Sequence, residues 1–470
     1  MGIDDRIFTD GKVEKVLLKF AIPAVITLLV LELYNMVDTF FVGRYVGPNA
    51  IGALTIAFPI QKLLVSTGLL IAVGTSTTVA RYLGEENYVD LKKTIKSALS
   101  LGVISMIILP VVIFLFLDWI LIKIGSTPNI LPLAKEYVTI ILLGGIFQCL
   151  TLIMCYIMTA LGNTKIMLIS TTIGAISNMI VDFILVKIFG IGVKGAAIAT
   201  VGSQIVSFLV AYYAYRDVHS RFKLGFNFRF YGSIGTTILA VGFTTFIIEF
   251  SDAIVAILLN NMLADFGGDG AIVIIGVITR ISMFLYITML GISSAMQPIV
   301  AFNYGANNFK RLKETVKKTI RTASITCIML WGTMMIFTRK IIGSFLTDPA
   351  LLNEAVRAFR ICISVFPIVS LYYIATYYYQ SIGQANVSFV LSIYRQLVIF
   401  IPVSILFVKL WGLNGAWITY PVVDIIAAVT GYIYINKANR ELHEEYEEYK
   451  ESKEYKKNKK SESSGKILEA

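Results

Sequence analysis

The sequence predicts an all-α polytopic membrane protein whose twelve transmembrane helices form two six-helix lobes related by pseudo-two-fold symmetry. Three observations point there. Of the 470 residues, 56% are hydrophobic and only 15% charged, with a mean hydropathy of +0.75; soluble domains carry about a quarter charged residues. The apolar residues gather into blocks long enough to cross a bilayer. Finally, the first half of the chain recurs, in outline, 221 residues later.

Each span follows from the first observation. A crossing takes about 20 mostly apolar residues, and such blocks lie at 20–43, 51–80, 96–122, 132–161, 165–189, 193–215, 235–263, 271–301, 319–343, 357–381, 388–409 and 412–436. Residues 101–117, LGVISMIILPVVIFLFL, hold no charge at all. Soluble multidomain architectures are excluded. The N-terminal stretch MGIDDRIFTDGKVEKVLLKF lacks a short apolar core followed by a small-residue cleavage site, so no removable signal peptide is expected. Gly2 suggests myristoylation, but Asp5 and Arg6 stand where that motif wants Ser or Thr.

The net charge of +11 belongs to loops rather than to a nucleic-acid surface. Loops on one side of the spans carry 19 Lys and Arg, among them Lys12, Arg81, Lys96, Arg216, Arg229 and Lys310; the alternate loops carry 10. The positive-inside rule makes the richer side cytoplasmic, and an even span count puts both termini there. The tail from Lys437 onward has nine Lys or Arg and nine Glu and is neutral as a block. Cys149, Cys155, Cys327 and Cys362 all fall inside predicted spans and read as small apolar packing residues. His219 and His443 have no ligand cluster around them, so no resident metal and no cofactor are expected.

The repeat sets the domain organisation. GEENYVDLKKTIK at 84–96 corresponds to GANNFKRLKETVK at 305–317. The same offset pairs Ala50-Ile51 with Ala271-Ile272, and Gly162 with Gly383. Toward the end of each half GIGVKGA (190–196) faces WGLNGA (411–416), one residue shorter. The expected units are a first lobe over 1–215, a basic linker over 216–232, a second lobe over 233–436 and a disordered cytoplasmic tail over 437–470. Six spans per half keep the loops on the same side, so the repeats run parallel. In transporters built this way substrate binds between the lobes near the midplane.

Ionisable groups inside spans are costly and mark function or an ion pair. The first half has Glu32, Asp38, Lys62 and Asp182; the second has Glu249, Asp252, Arg280, Arg395 and Asp424. In LYNMVDTFFVG, Tyr34 lies four residues and Asn35 three residues before Asp38, all reachable on one helical face. Pro23 removes a backbone hydrogen bond earlier in that span, a ready place for a bend. In SNMIVDF, Asn178 and Asp182 stand one turn apart. Two acidic faces with uncharged oxygen donors suit Na⁺ or a shared proton; the plainer reading of Asp182 is a solvated group near a span end. The 221-residue offset places Leu259 opposite Asp38 and Val403 opposite Asp182, so the acidic pair belongs to the first lobe alone. Glu249, opposite Leu28, is a candidate second coupling group, substrate site or structural ion pair. Arg395 and Asp424 read as an internal ion pair. The run Tyr372, Tyr373, Tyr377, Tyr378 and Tyr379 reads as packing, with cavity lining as the alternative.

At these residues the chain resembles the multidrug and toxic compound extrusion family. LELYNMVDTFFVGRYVG (31–47) matches its first-span pattern, and Arg280 through MQPIVAFNYGANN (296–308) its span-eight signature. The resemblance covers about residues 10–436, and the DinF-like and MepA-like bacterial and archaeal members are the most similar branch. It implies a first-lobe cation site made of Asp38, Asn178, Asp182 and Thr200, a span-one bend at Pro23, and, from another branch, a span-seven role for Glu249, whose span-eight partner is missing here. It also implies antiport: entry of Na⁺ or H⁺ drives export of lipophilic, often cationic drugs across a bacterial or archaeal cytoplasmic membrane. The expected partners are small-molecule substrates and membrane lipids, not nucleic acid, and the expected state is a monomer. Two other readings compete with this one. A flippase for lipid-linked precursors would want a strongly cationic cavity. An intramembrane aspartyl protease would need a second acid to match Asp269 of the GGDG at 267–270, which falls in a predicted outer loop.

Overall fold

The computed structural model describes residues 7–9, 11–224, 229–346 and 348–468; Gly2, Asp5 and Arg6 lie outside them. Among the described residues the chain is helical throughout, with no strand. The helices are α1 (Val13–Tyr45), α2 (Pro48–Gly84), α3 (Tyr88–Leu115), the short α4 (Leu117–Ile124), α5 (Leu131–Ala160), α6 (Ile166–Asp182), α7 (Val193–Arg221), α8 (Gly232–Gly305), α9 (Phe309–Gly343), α10 (Pro349–Cys362), α11 (Phe366–Ser381), α12 (Ala385–Ile393), α13 (Ile401–Trp411) and α14 (Leu413–Leu468). Wide turns of π-helix over Phe183–Ile188 and Tyr394–Phe400 continue α6 and join α12 to α13. Among the described residues, eleven stretches are long and apolar enough to cross a membrane, and α10 with α11 makes a twelfth. An unpaired backbone group is costly in hydrocarbon, so helices that satisfy their own hydrogen bonds are the form such stretches take.

Three expectations change. The tenth span is not one straight helix: α10 and α11 meet at 47°. Pro367 explains the break, because proline brings no N–H to the ladder and disfavours helix at the residue before it. The loop expected around the GGDG at 267–270 falls inside α8, which nevertheless reverses its course. Its start lies against α2 where Gly74 meets the Ile238 carbonyl, and its end returns to α2 where Gly84 meets the Phe302 carbonyl. A straight helix would put Ile238 and Phe302 nearly 100 Å apart at 1.5 Å per residue. The tail expected to be disordered continues the last helix through Leu468. Side chains hold its first turns: Ala438 and Leu442 are buried, Tyr379 Oη donates to Glu441 (3.3 Å), and the Tyr446 ring meets Phe309 edge-on.

The pseudo-two-fold relation is visible where the lobes touch. A Cβ on Gly84 would sit 2.0 Å from the Phe302 carbonyl oxygen, and one on Gly305 would sit 2.1 Å from that of Arg81. Gly84 and Gly305, like Arg81 and Phe302, are 221 residues apart, so the contact is reciprocal. Both lobes meet here backbone to backbone, at the end of the molecule that carries the linker. At the same end Phe8 stacks on Phe302, with ring centroids 4.7 Å apart, and Lys318 pairs with Glu14.

Candidate functional site

Five helices of the first lobe converge on Asp38. Small residues set α6 close to α7: Gly174 packs on Ser207, and Ser170 Oγ donates to the Ser207 carbonyl (2.8 Å) while Ser207 Oγ donates to that of Ser170 (3.2 Å). Close approach through small residues with interhelical hydrogen bonds is the usual way membrane helices pack. It holds Asn178 and Asp182 of α6 beside Thr200 of α7, and all three are buried.

Asp38 reaches the same point from α1 and is 7% exposed; its carboxyl interacts directly with that of Asp182. With its amide nitrogen toward the acid, Asn178 donates to Asp182 Oδ2 (2.9 Å) and its oxygen accepts from the Thr200 N–H (3.3 Å). Tyr34 Oη donates to Thr200 Oγ1 (3.3 Å). Among the described residues, Asp38 Oδ1 and Asp182 Oδ1 are both buried without a hydrogen-bond donor. Orphaned carboxylate oxygens are expensive, and a cation or proton between the two acids would satisfy both. The donor set is hard oxygen only, which suits Na⁺ or H⁺ and not a soft transition metal.

The structure therefore brings together Asp38, Asn178, Asp182, Thr200 and Tyr34. Asn35 points elsewhere: its side chain is exposed and meets Glu32. Pro23 lies fifteen residues before Asp38 in the same helix, and Thr27 Oγ1 donates to its carbonyl (2.7 Å). Two residues join that sequence reasoning missed. Tyr137 of α5 is buried against Thr200 and near Asp38, and Gln61 of α2 donates to its hydroxyl (3.2 Å). Neither shares a span with the acids, so no spacing pointed to them.

Glu249 is not part of this cluster. It accepts from Lys62 Nζ of α2 at 2.7 Å, an ion pair between the lobes. Deeper in the second lobe Arg395 donates to Asp424 Oδ1 (2.7 Å), to Tyr286 Oη (3.0 Å) and to Tyr373 Oη (3.2 Å), with both charged side chains almost wholly buried. Tyr372 through Tyr379 are packed inside, Tyr373 on Arg395. The positions of the second lobe that mirror the acidic site are apolar. Leu259 and Ile399, opposite Asp38 and Asn178, form a small separate cluster with Phe400 and Val423, and Val403, opposite Asp182, packs on it.

Comparison with known proteins places this architecture. The MatE family model matches residues 23–184 and 234–406, one stretch in each half. The multidrug export protein MepA of Staphylococcus aureus (strain NCTC 8325 / PS 47) is 24% identical over 432 residues, covering 91% of this chain and 94% of that protein. Crystal structures of MATE in the straight and in the bent conformation superpose with TM-scores of 0.88 and 0.87 at 22% and 23% identity; they cover 93% and 94% of this chain and 98% of each of those chains. With most of both lobes matched, the chain belongs to the MatE family of multi-pass membrane transporters.

Proposed function

We propose that the chain is a secondary multidrug efflux antiporter, exporting organic and often cationic compounds in exchange for Na⁺ or H⁺, and that it is not an enzyme. The observation that carries this is the buried Asp38–Asp182 pair, two carboxyls in contact with one orphaned oxygen each. Such a pair is unfavourable when empty and charged, and favourable when a cation or proton lies within it. A ligand shifts a two-state equilibrium only through its different affinity for the two states. Neutralising this pair, which lies in one lobe only, gives the coupling ion that differential hold on the lobe arrangement.

Asn178 and Thr200 complete the oxygen set, and Tyr34 ties α1 to α7 across it. Pro23 is the hinge through which α1 responds. The excess of basic residues in the linker-side loops supports a cytoplasmic linker and cytoplasmic termini in a bacterial or archaeal cytoplasmic membrane. Multidrug export fits the name of the staphylococcal relative, and cationic substrates fit the acidic first lobe.

Purified protein in proteoliposomes tests the reading, with Na⁺ and pH gradients imposed separately. One of the two gradients is expected to drive movement of an organic cation such as ethidium against its own gradient. Cation movement that follows only the ethidium gradient, whichever ion is supplied, would refute antiport.

A further inference from the structure

A second cavity lies far from the acidic site, on the outer wall of the first lobe. It is a groove of about 1000 Å³ between α3, α5, α6 and α7. Its walls come from the linker-end halves of those helices, with Leu99 and Val103 of α3, Met154 of α5 and Ile169 of α6 among the lining residues. Its rim is polar: Lys96 from α3, with Arg216, Asp217 and His219 from the last turns of α7. Among the described residues, neither Lys96 nor Arg216 forms a salt bridge. Arg216 lies over the Tyr213 ring, 5.9 Å from its centre, at the position an interfacial aromatic takes in a membrane.

Tyr215 also lines the groove and is 4% exposed; its hydroxyl is enclosed by the protein and does not open on the groove.

We propose that this groove holds one anionic phospholipid of the cytoplasmic leaflet. Its acyl chain lies along Leu99, Val103 and Met154, and its phosphate is at Lys96 and Arg216. Three features select this occupant over a soluble one. The walls are apolar and open sideways on helices that face lipid. The cationic rim stands at the end of the molecule that the basic loops make cytoplasmic, where anionic lipids reside. Basic pockets between transmembrane helices on that side are the recurrent form of anionic-lipid sites. The rim lies at the start of α3 and the end of α7, the helix that leads into the inter-lobe linker, so a bound lipid would brace that junction.

The test uses the full-length protein, delipidated in a nonionic detergent, with phosphatidylglycerol and phosphatidylcholine of identical acyl chains and with glycerol 3-phosphate as the headgroup alone. Native mass spectrometry and thermal unfolding should show phosphatidylglycerol bound in preference and stabilising, and glycerol 3-phosphate without effect. Lys96→Gln with Arg216→Gln should weaken phosphatidylglycerol by about fivefold for each charge removed, on the order of 25-fold together. Phosphatidylcholine should be unchanged. Should the double variant fail to fold, Val103→Trp on the otherwise native chain reports the same occupancy: brominated phosphatidylglycerol should quench it at lower mole fractions than brominated phosphatidylcholine. Equal binding of the two lipids, an unaltered preference in the double variant, or stabilisation by glycerol 3-phosphate alone would each overturn the proposal.

Discussion

Asp38 and Asp182 were legible in the sequence because a carboxylate inside an apolar span has few other reasons to be there. Asn178 was legible from its position one turn before Asp182. Tyr137 and Gln61 were not, since a tyrosine or glutamine in a span is unremarkable until folding brings it beside an acid. Asn35 shows the limit from the other side: its spacing put it within reach of Asp38, yet its side chain turns to Glu32, which lies three positions away in the other direction, because spacing along a helix allows either neighbour and does not choose between them. The buried pair Arg395–Asp424 differs from the acidic site in having its charges matched and its donors occupied by Tyr286 and Tyr373. A structural role follows. Asp424→Leu alone leaves Arg395 buried and uncompensated and should cost about 3–5 kcal/mol, read as an early melting transition in detergent. Arg395→Met added to it should restore most of that loss. A double variant no more stable than the single one would show that the pair does more than balance charge.

At the scale of elements, the two π-helical turns sit at the buried charges, one starting just after Asp182 and one containing Arg395. The second has a visible cause. Tyr372 Oη donates to the Leu391 carbonyl and accepts from the Arg395 N–H, so a side chain is inserted where an i→i−4 hydrogen bond would close. No hydropathy pattern reveals such an insertion, because it depends on a tyrosine from another helix. The break between α10 and α11 was announced by Pro367, but length and hydropathy alone read through it. The tail was misread for a related reason: its composition lacks a core of its own, yet its first turns borrow one from Phe309 and Tyr379. Pro23 makes a prediction of its own. Proline leaves the Lys19 carbonyl without a helical donor, which lowers the cost of bending α1 there. Pro23→Ala restores the donor and stiffens the helix, so substrate should still bind with near-native affinity while turnover in proteoliposomes falls several-fold. Unaltered turnover would remove Pro23 from the mechanism and leave the acidic pair untouched.

Across the whole molecule, the fold was readable because both of its determinants, span-length apolar blocks and a repeated offset, are properties of sequence itself. What the repeat could not show is how the lobes meet. They meet at Gly84 and Gly305, where a side chain would drive into the opposite backbone, so the structure is closed at the linker end. An alternating-access cycle must open this contact. Gly84→Val should therefore wedge it and shift the population toward the form open at that end, with Gly305→Val acting alike by symmetry. A thiol placed at Ser76, buried near the lobe contact in α2, should become reactive from the linker side in either valine variant. A thiol as protected as in the parent would mean that the lobes yield in some other way.

The asymmetry between the lobes carries the central claim: an acidic, orphan-rich site in the first lobe faces an apolar cluster at the matching place in the second. Its most direct test is gradient-driven drug flux in proteoliposomes, measured side by side for the parent protein, Asp38→Asn and Asp182→Asn, together with equilibrium drug binding. Each variant should fold and retain drug binding within about tenfold, while stimulation of flux by the Na⁺ or pH gradient falls to the level of protein-free vesicles. Gradient stimulation that survives in both variants would contradict the account and place the coupling site outside the Asp38–Asp182 pair.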